Sequence, residues 1–116
     1  MPHVVLEGNI DVSTIFEKLE PIMIKDQDFL LKTVEHYINH SSSSILIDCL
    51  IIESGQKKQF FAYINNREDG VVIRLYPKLD VEKTEVVKQI LVEIAKKLLD
   101  EFPSLEVGKT NLNISG

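Results

Sequence analysis

The sequence predicts an α+β fold (α/β in the broad sense), in which a mostly antiparallel or mixed sheet carries two helices on one face. Three observations support this class. Short β-branched runs are separated by turn residues, and two segments have apolar residues at helical spacing. The chain has 116 residues, which is the length of one domain, predicted to span residues 1–116. The predicted element order is β-α-(β)-β-β-β-α-β, with about four to six strands in the sheet.

The first elements are a strand and a helix. Residues 3–6 form a β-branched run that ends at a Gly-Asn pair, which predicts a strand. Apolar residues at helical spacing predict a helix over residues 12–24, and Pro21 should kink or end it near Leu19. The alternative N-caps are Asp11, Ser13 and Thr14.

Residues 28–40 fit two patterns, since their apolar positions suit either a helix or a strand. Their β-branched and aromatic content favours the strand. Four serines, residues 41–44, then form a loop. In residues 45–53, the odd-numbered and the even-numbered positions are both mainly apolar. This predicts a strand that is covered on both faces.

A hairpin and a long helix follow. Residues 59–65 and 71–76 read as strands joined by a turn at Asp69-Gly70. A helix is predicted over residues 81–102 with Asp80 as its N-cap. A last strand is expected within residues 105–114. The apolar stripe of the helix comprises Val87, Ile90, Leu91, Ile94, Leu98 and Phe102.

Charge and composition exclude several classes of protein. Thirteen basic and eighteen acidic residues give a net charge of −5, which argues against binding to nucleic acid or to anionic lipid. No stretch approaches the ~18 apolar residues of a membrane helix, and the N-terminus does not resemble a signal peptide. The single cysteine excludes an internal disulfide and fits a reducing compartment, so a cytoplasmic location is expected.

The N-terminus resembles the tautomerase superfamily. Met1-Pro2 leads directly into a strand, and residues 1–7 are similar to the start of the carboxymethyl-hydroxymuconate isomerase branch. Residues 71–76, followed by Glu82-Lys83-Thr84-Glu85 at the start of a long helix, look like the second strand-helix unit of that branch. The resemblance covers residues 2–24 and 71–114 loosely.

This resemblance implies a mechanism and an assembly. In that family the initiator Met is removed and the secondary amine of the proline is the catalytic base. Pro2 would then be the base of a tautomerase or isomerase acting on a small 2-oxo or enol acid, without a cofactor. Arg74, together with Lys32, would hold the substrate carboxylate. A homotrimer with a tautomerase-like mixed sheet is also implied.

The sequence departs from the family in its arginines. The family places several before or on the middle strand, whereas the corresponding segment here is the serine loop. The chain contains two arginines, Arg67 and Arg74. The alternative function is a non-catalytic oligomeric or small-ligand-binding domain.

Each candidate residue also has a structural interpretation. Pro2 can simply lead the first strand. Arg74 and Asp48 each interrupt an apolar strand and can form an ion pair. Cys49 is expected to be a buried, unreactive thiol.

His36 and His40 would share a helical face and bind a metal if their segment were helical, but no third ligand is evident and no metal site is predicted. Core or subunit-interface positions, rather than a ligand cage, are expected for the strand aromatics Phe60, Phe61, Tyr63 and Tyr76.

Overall fold

The computed structural model describes residues 1–78 and 80–114, which is all of the predicted domain except Leu79 and residues 115–116. Strands and helices occur together in one chain, so the α+β class is confirmed. The elements of the described residues are β1 (His3–Glu7), α1 (Val12–Lys18), β2 (Met23–Lys25), β3 (Phe29–Ile38), β4 (Ser44–Glu53), β5 (Gln56–Arg67), β6 (Gly70–Leu75), α2 (Glu85–Glu101) and β7 (Glu106–Thr110).

One sheet contains all seven of these strands, in the order β2-β3-β4-β5-β6-β1-β7. Each of its pairings is antiparallel, so the described sheet is not the mixed sheet that was one of the predictions. The strand count exceeds the predicted four to six because β2 was not predicted. The N-terminal strand lies between β6 and β7, which places His3 opposite Arg74.

Both helices pack on one face of the sheet. A single apolar core joins Val12 and Ile15 of α1, Leu91 of α2, and residues such as Ile47 and Ile73 of the sheet. Five of the six residues of the predicted α2 stripe are fully buried, which confirms its orientation. Phe102 follows the helix as its C-cap and is half-buried.

The first helix is shorter than predicted. It ends at Lys18 with Leu19 as its C-cap, so the expected effect of Pro21 is seen and the extension to residue 24 is wrong. Residues 23–25 form β2 and pair with β3 instead. The N-cap is Asp11, whose Oδ1 accepts a hydrogen bond from the Thr14 backbone N–H at 3.0 Å.

The second helix begins later than predicted, at Glu85, and its N-cap is Thr84 and not Asp80. The Thr84 hydroxyl oxygen accepts from the Val87 backbone N–H at 3.2 Å. The same hydroxyl donates to Oε2 of Glu53 at 2.6 Å. This second bond ties the helix start to the end of β4, which explains why the tertiary structure selects Thr84.

The prediction of a strand within residues 28–40 is confirmed by β3. The prediction that β4 is covered on both faces is wrong. Its alternate residues Ile45, Ile47, Cys49 and Ile51 pack under the helices, whereas Ile52 on the opposite face is 39% exposed. We call this opposite, helix-free side of the sheet the open face.

No helix among residues 1–78 and 80–114 has the length and apolar composition that crossing a membrane requires. The turn between β5 and β6 depends on Gly70, whose φ is +152°. A Cβ at this position would collide with the carbonyl oxygen of Leu6 on β1. Glycine therefore allows β1 to approach β6 closely at this end.

Candidate functional site

The open face contains a cleft lined by tyrosines. Tyr37 of β3, Tyr63 of β5 and Tyr76, which follows β6, surround a volume of about 250 Å³ together with Leu46 of β4. The chain has three tyrosines, so all of them meet at this cleft. The remaining lining residues are Ile38, Asn39 and Ser44.

Strand register explains why these tyrosines converge. Tyr37 lies opposite Leu46, and Leu46 lies opposite Tyr63, so the three residues form one row across β3, β4 and β5. Tyr76 donates its backbone N–H to the carbonyl of Phe61 at 2.8 Å, which extends the β5–β6 ladder to this residue. The Tyr63 and Tyr76 rings meet edge to face, with centroids 5.3 Å apart.

A polar network supports one side of the cleft. Arg74 donates from Nε to Oδ1 of Asn65 at 3.0 Å, and Asn65 donates from Nδ2 to Oγ of Ser44 at 2.7 Å. The guanidinium carbon of Arg74 lies 5.3 Å from the centre of the Tyr63 ring. Within the described chain, no other hydrogen bond engages the terminal guanidinium nitrogens of Arg74.

The same network changes the acidity of Tyr63. Hydrogen bonds from the side chains of Ser44 and then Asn65 are the main causes that hold its pKa below the ordinary value. The positive charges of Arg74 and Lys78 act in the same direction, and partial burial opposes them. Tyr63 therefore ionises more readily than a free tyrosine.

The three residues predicted to form a catalytic site do not lie together. Pro2 is buried at the start of β1, and its cleft is lined by Lys83 and Lys88, among other residues. Arg74 lies beside the tyrosine cleft. Lys32 lies on β3, and β4, β5 and β6 separate that strand from β1. Pro2 precedes His3, which lies opposite Arg74, but the Arg74 guanidinium packs against Tyr63, and β4 and β5 separate Lys32 from Arg74.

The predicted ion pair between Arg74 and Asp48 is absent. Asp48 on β4 lies opposite Phe61, whereas Arg74 on β6 lies opposite Tyr63, so β5 separates the two charges. Arg74 instead uses Asn65 as its hydrogen-bond partner. An amide on the intervening strand is closer than the carboxylate two strands away.

The other candidate residues have structural surroundings. His36 is on β3 and packs edge-on against Phe16 of α1, with ring centroids 5.1 Å apart. His40 follows that strand in a turn. In the described part of the chain, no three His, Cys, Asp or Glu side chains converge on a possible metal position. Burial raises the pKa of the Cys49 thiol to about 12, so this thiol is unreactive, as expected.

Sequence reasoning missed the tyrosine cleft. It placed Tyr63 and Tyr76 on strands but expected them in a core or an interface. One pattern within β4 could have indicated this face. Leu46 and Asp48 lie on the same side of the strand, and the charge of Asp48 indicates that this side is open to solvent. The pairing of Leu46 with both Tyr37 and Tyr63 could not be derived without the strand register.

Comparison with known proteins gives one partial similarity. The chain is 30% identical over 83 residues to a tRNA (guanine-N(7)-)-methyltransferase of Aquifex aeolicus (strain VF5). The aligned stretch covers 71% of this chain and 27% of that protein, so the chain spans about a quarter of its relative's length. No family model matches the chain, and no solved structure matches it.

Proposed function

We propose that this chain is a small-ligand-binding domain and that the tyrosine cleft is its site. The observation that carries the proposal is the convergence of all three tyrosines on one concave part of a helix-free sheet face. Aromatic rings contribute large contact area with few rotatable bonds, so a ligand that stacks on them loses little side-chain entropy on binding.

The size and the lining of the cleft define its ligand class. A volume of about 250 Å³ lies just below the ~300–1,000 Å³ typical of drug-sized sites, which favours a ligand of one or two rings. Tyrosine rings pack well against other flat rings, by stacking or edge to face, so this lining favours a planar ligand. Ser44 and Asn39 add polar groups to the lining that are fixed by protein hydrogen bonds, since Asn39 Oδ1 accepts from the Ser43 and Ser44 backbone N–H groups and Ser44 Oγ accepts from Asn65. The lining residues include no carboxylate.

Intrinsic fluorescence provides a direct test, because the chain contains tyrosines and no tryptophan. Each emitting ring therefore lines the cleft. Titration with adenosine and guanosine, which are themselves almost non-fluorescent, should change the emission and saturate. Free N-acetyltyrosinamide corrects for absorption by the ligand. Nucleosides belong in this panel because the relative is named as a tRNA methyltransferase.

Matched variants locate the binding. Tyr76→Leu removes one wall of the cleft and should weaken binding at least tenfold. Phe61→Leu is the control, since Phe61 is a half-buried aromatic residue of β5 that does not line the cleft. Equal loss in both variants, or no saturable response from the unmodified chain, would overturn the proposal.

A second candidate function is the isomerase implied by the tautomerase resemblance. The observation in its favour is that Pro2 is buried beside a cleft of about 230 Å³ that two lysines, Lys83 and Lys88, also line. Removal of Met1 would expose the Pro2 secondary amine there, and burial would lower its pKa toward neutrality. The lysines would take the carboxylate-binding role that the resemblance gives to Arg74 and Lys32.

Removal of Met1 would also release a hydrogen-bond donor. The Asn111 side chain now donates from Nδ2 to the Met1 carbonyl at 2.8 Å, and it would become available to a substrate. Mass spectrometry establishes whether Pro2 is the N-terminus. Ketonisation of phenylenolpyruvate by that material, lost in Pro2→Ala, is the expected result. Turnover equal to buffer with a free Pro2 would reject this candidate.

A further inference from the structure

We infer that the ligand of the tyrosine cleft is a planar ring bearing an anionic group, a carboxylate or a phosphate, which Arg74 holds. This inference rests on the proposed function of the cleft and names its ligand class. It adds a charge requirement that stacking on tyrosines alone does not impose.

The position of Arg74 is the first argument. Its guanidinium lies against the ring of Tyr63, and Tyr63 lines the cleft, so the positive charge is next to one wall of the cleft. The bond from Nε to Asn65 fixes the orientation of the guanidinium. The terminal nitrogens are not engaged by the described protein groups and present the planar pair of donors that binds a carboxylate or phosphate.

The distribution of charge is the second argument. The chain carries a net charge of −5, yet the charged side chain that lies against the Tyr63 ring is the cation Arg74. At the β3 end of the row formed by Tyr37, Leu46 and Tyr63, Glu35 shares the face of β3 with Tyr37. Glu35 lies opposite Asp48 of β4. A ligand with one anionic end would therefore align with that end toward Arg74 and away from these carboxylates.

The third argument is the cost of leaving the guanidinium unpaired. Arg74 is half-buried and lies against the Tyr63 ring, where solvent screens its charge less than on an open surface. An anion placed there exchanges water for charge-assisted hydrogen bonds, which are among the stronger polar contacts in proteins. A neutral ring of the same shape lacks this gain.

Paired ligands test the inference. Indole is compared with indole-3-carboxylate, and adenosine with adenosine monophosphate, so that ring stacking is held constant while the anion is added. The anionic member of at least one pair should bind about tenfold or more tightly, which is the effect of a hydrogen bond to a charged group. The pair with the larger ratio identifies carboxylate or phosphate as the preferred anion. Added salt should reduce this ratio toward one.

The two arginines of the chain provide a matched pair of variants. Arg74→Gln should reduce the ratio to near one, and Arg74→Lys should restore part of it because it keeps the charge but loses the planar donors. Arg67→Gln is the control, since Arg67 is exposed and pairs with Asp69 in the β5–β6 turn.

The outcomes are distinguishable. A ratio well above one that Arg74→Gln reduces, and Arg67→Gln does not, supports the inference, whereas a high ratio that Arg74→Gln leaves unchanged overturns it. Equal binding of neutral and anionic rings, with both lost in Tyr76→Leu, overturns the inference and leaves the proposed function intact. Binding by neither member of any pair overturns both.

Discussion

The guanidinium carbon of Arg74 lies 5.3 Å from the centre of the Tyr63 ring, within the range of a cation–π contact. Tyr63 is also held edge-on by Tyr76, and Arg74 is held by Asn65. Asn65 thus restricts Arg74, and Arg74 and Tyr76 both restrict the Tyr63 ring. A cation and two aromatic rings are fixed in place before any ligand arrives, which lowers the entropy cost of binding.

The acidity of Tyr63 gives a first prediction. Hydrogen bonds from Ser44 and Asn65 lower its pKa, so a spectrophotometric pH titration should contain an early component that ionises below the pH at which free N-acetyltyrosinamide ionises. Tyr63→Phe should remove this early component. Ser44→Ala should move it back toward the ordinary tyrosine value of about 10. An early component that persists in Tyr63→Phe would contradict the assignment.

The same shift predicts how stability depends on pH. A tyrosine whose pKa is lower in the folded chain favours the folded state above its ordinary pKa, and this contribution is lost as the pH falls through the folded value. The stability difference between the unmodified chain and Tyr63→Phe should therefore grow with rising pH across that interval. Urea unfolding at several pH values measures it, and a difference independent of pH would be inconsistent with the lowered pKa.

The packing of α2 gives a second prediction. Leu91 is fully buried against the sheet, so Leu91→Ala should lower the free energy of unfolding by about 2–5 kcal/mol. Asp100→Ala, at an exposed position of the same helix, should have little effect. The urea midpoint measures both, and equal midpoints for the two variants would reject the core position of Leu91.

The start of α2 gives a third prediction. Thr84→Ala removes both the N-cap bond to Val87 and the bond to Glu53, so it should cost about 1–2 kcal/mol. Asp80→Ala should leave stability unchanged, because Asp80 is exposed and outside the helix. A larger loss from Asp80→Ala than from Thr84→Ala in thermal unfolding would favour the earlier helix start.

The oligomeric state gives a fourth prediction. The tautomerase resemblance implies a homotrimer, and the apolar residues of the open face, such as Ile52, add area that an assembly could bury. One chain has a mass of 13.2 kDa, so light scattering should give about three times this value. A mass of one chain at micromolar concentration would reject the trimer.

The sequence determined element types well where the pattern was strongly periodic. The α2 stripe and the β4 run are examples, and the β-branched content of residues 28–40 correctly favoured β3. The predicted ends of the elements were less accurate. The N-cap of α2 is Thr84 because its hydroxyl bonds to Glu53, a residue that is distant in sequence. The three-residue β2 has no periodicity of its own and depends on pairing with β3.

The candidate site was predictable only in part. Arg74 was identified from its position as a lone charge in an apolar strand, and it does lie beside a cleft. The partner assigned to it was wrong, since the strand order places β5 between Arg74 and Asp48. The row of Tyr37, Leu46 and Tyr63 could be predicted only from the register of β3, β4 and β5 together. The residue pattern within one strand does not determine that register.

Nuclear magnetic resonance of a chain with ¹³C-labelled tyrosines tests the central claim most directly, because its three tyrosines all line the cleft. Titration with indole-3-carboxylate and with adenosine monophosphate should shift the ring signals of Tyr37, Tyr63 and Tyr76 together. For a given ligand, the three signals should saturate with one dissociation constant. Ring signals that stay unchanged up to millimolar concentrations of both ligands would contradict the account of this cleft as a binding site.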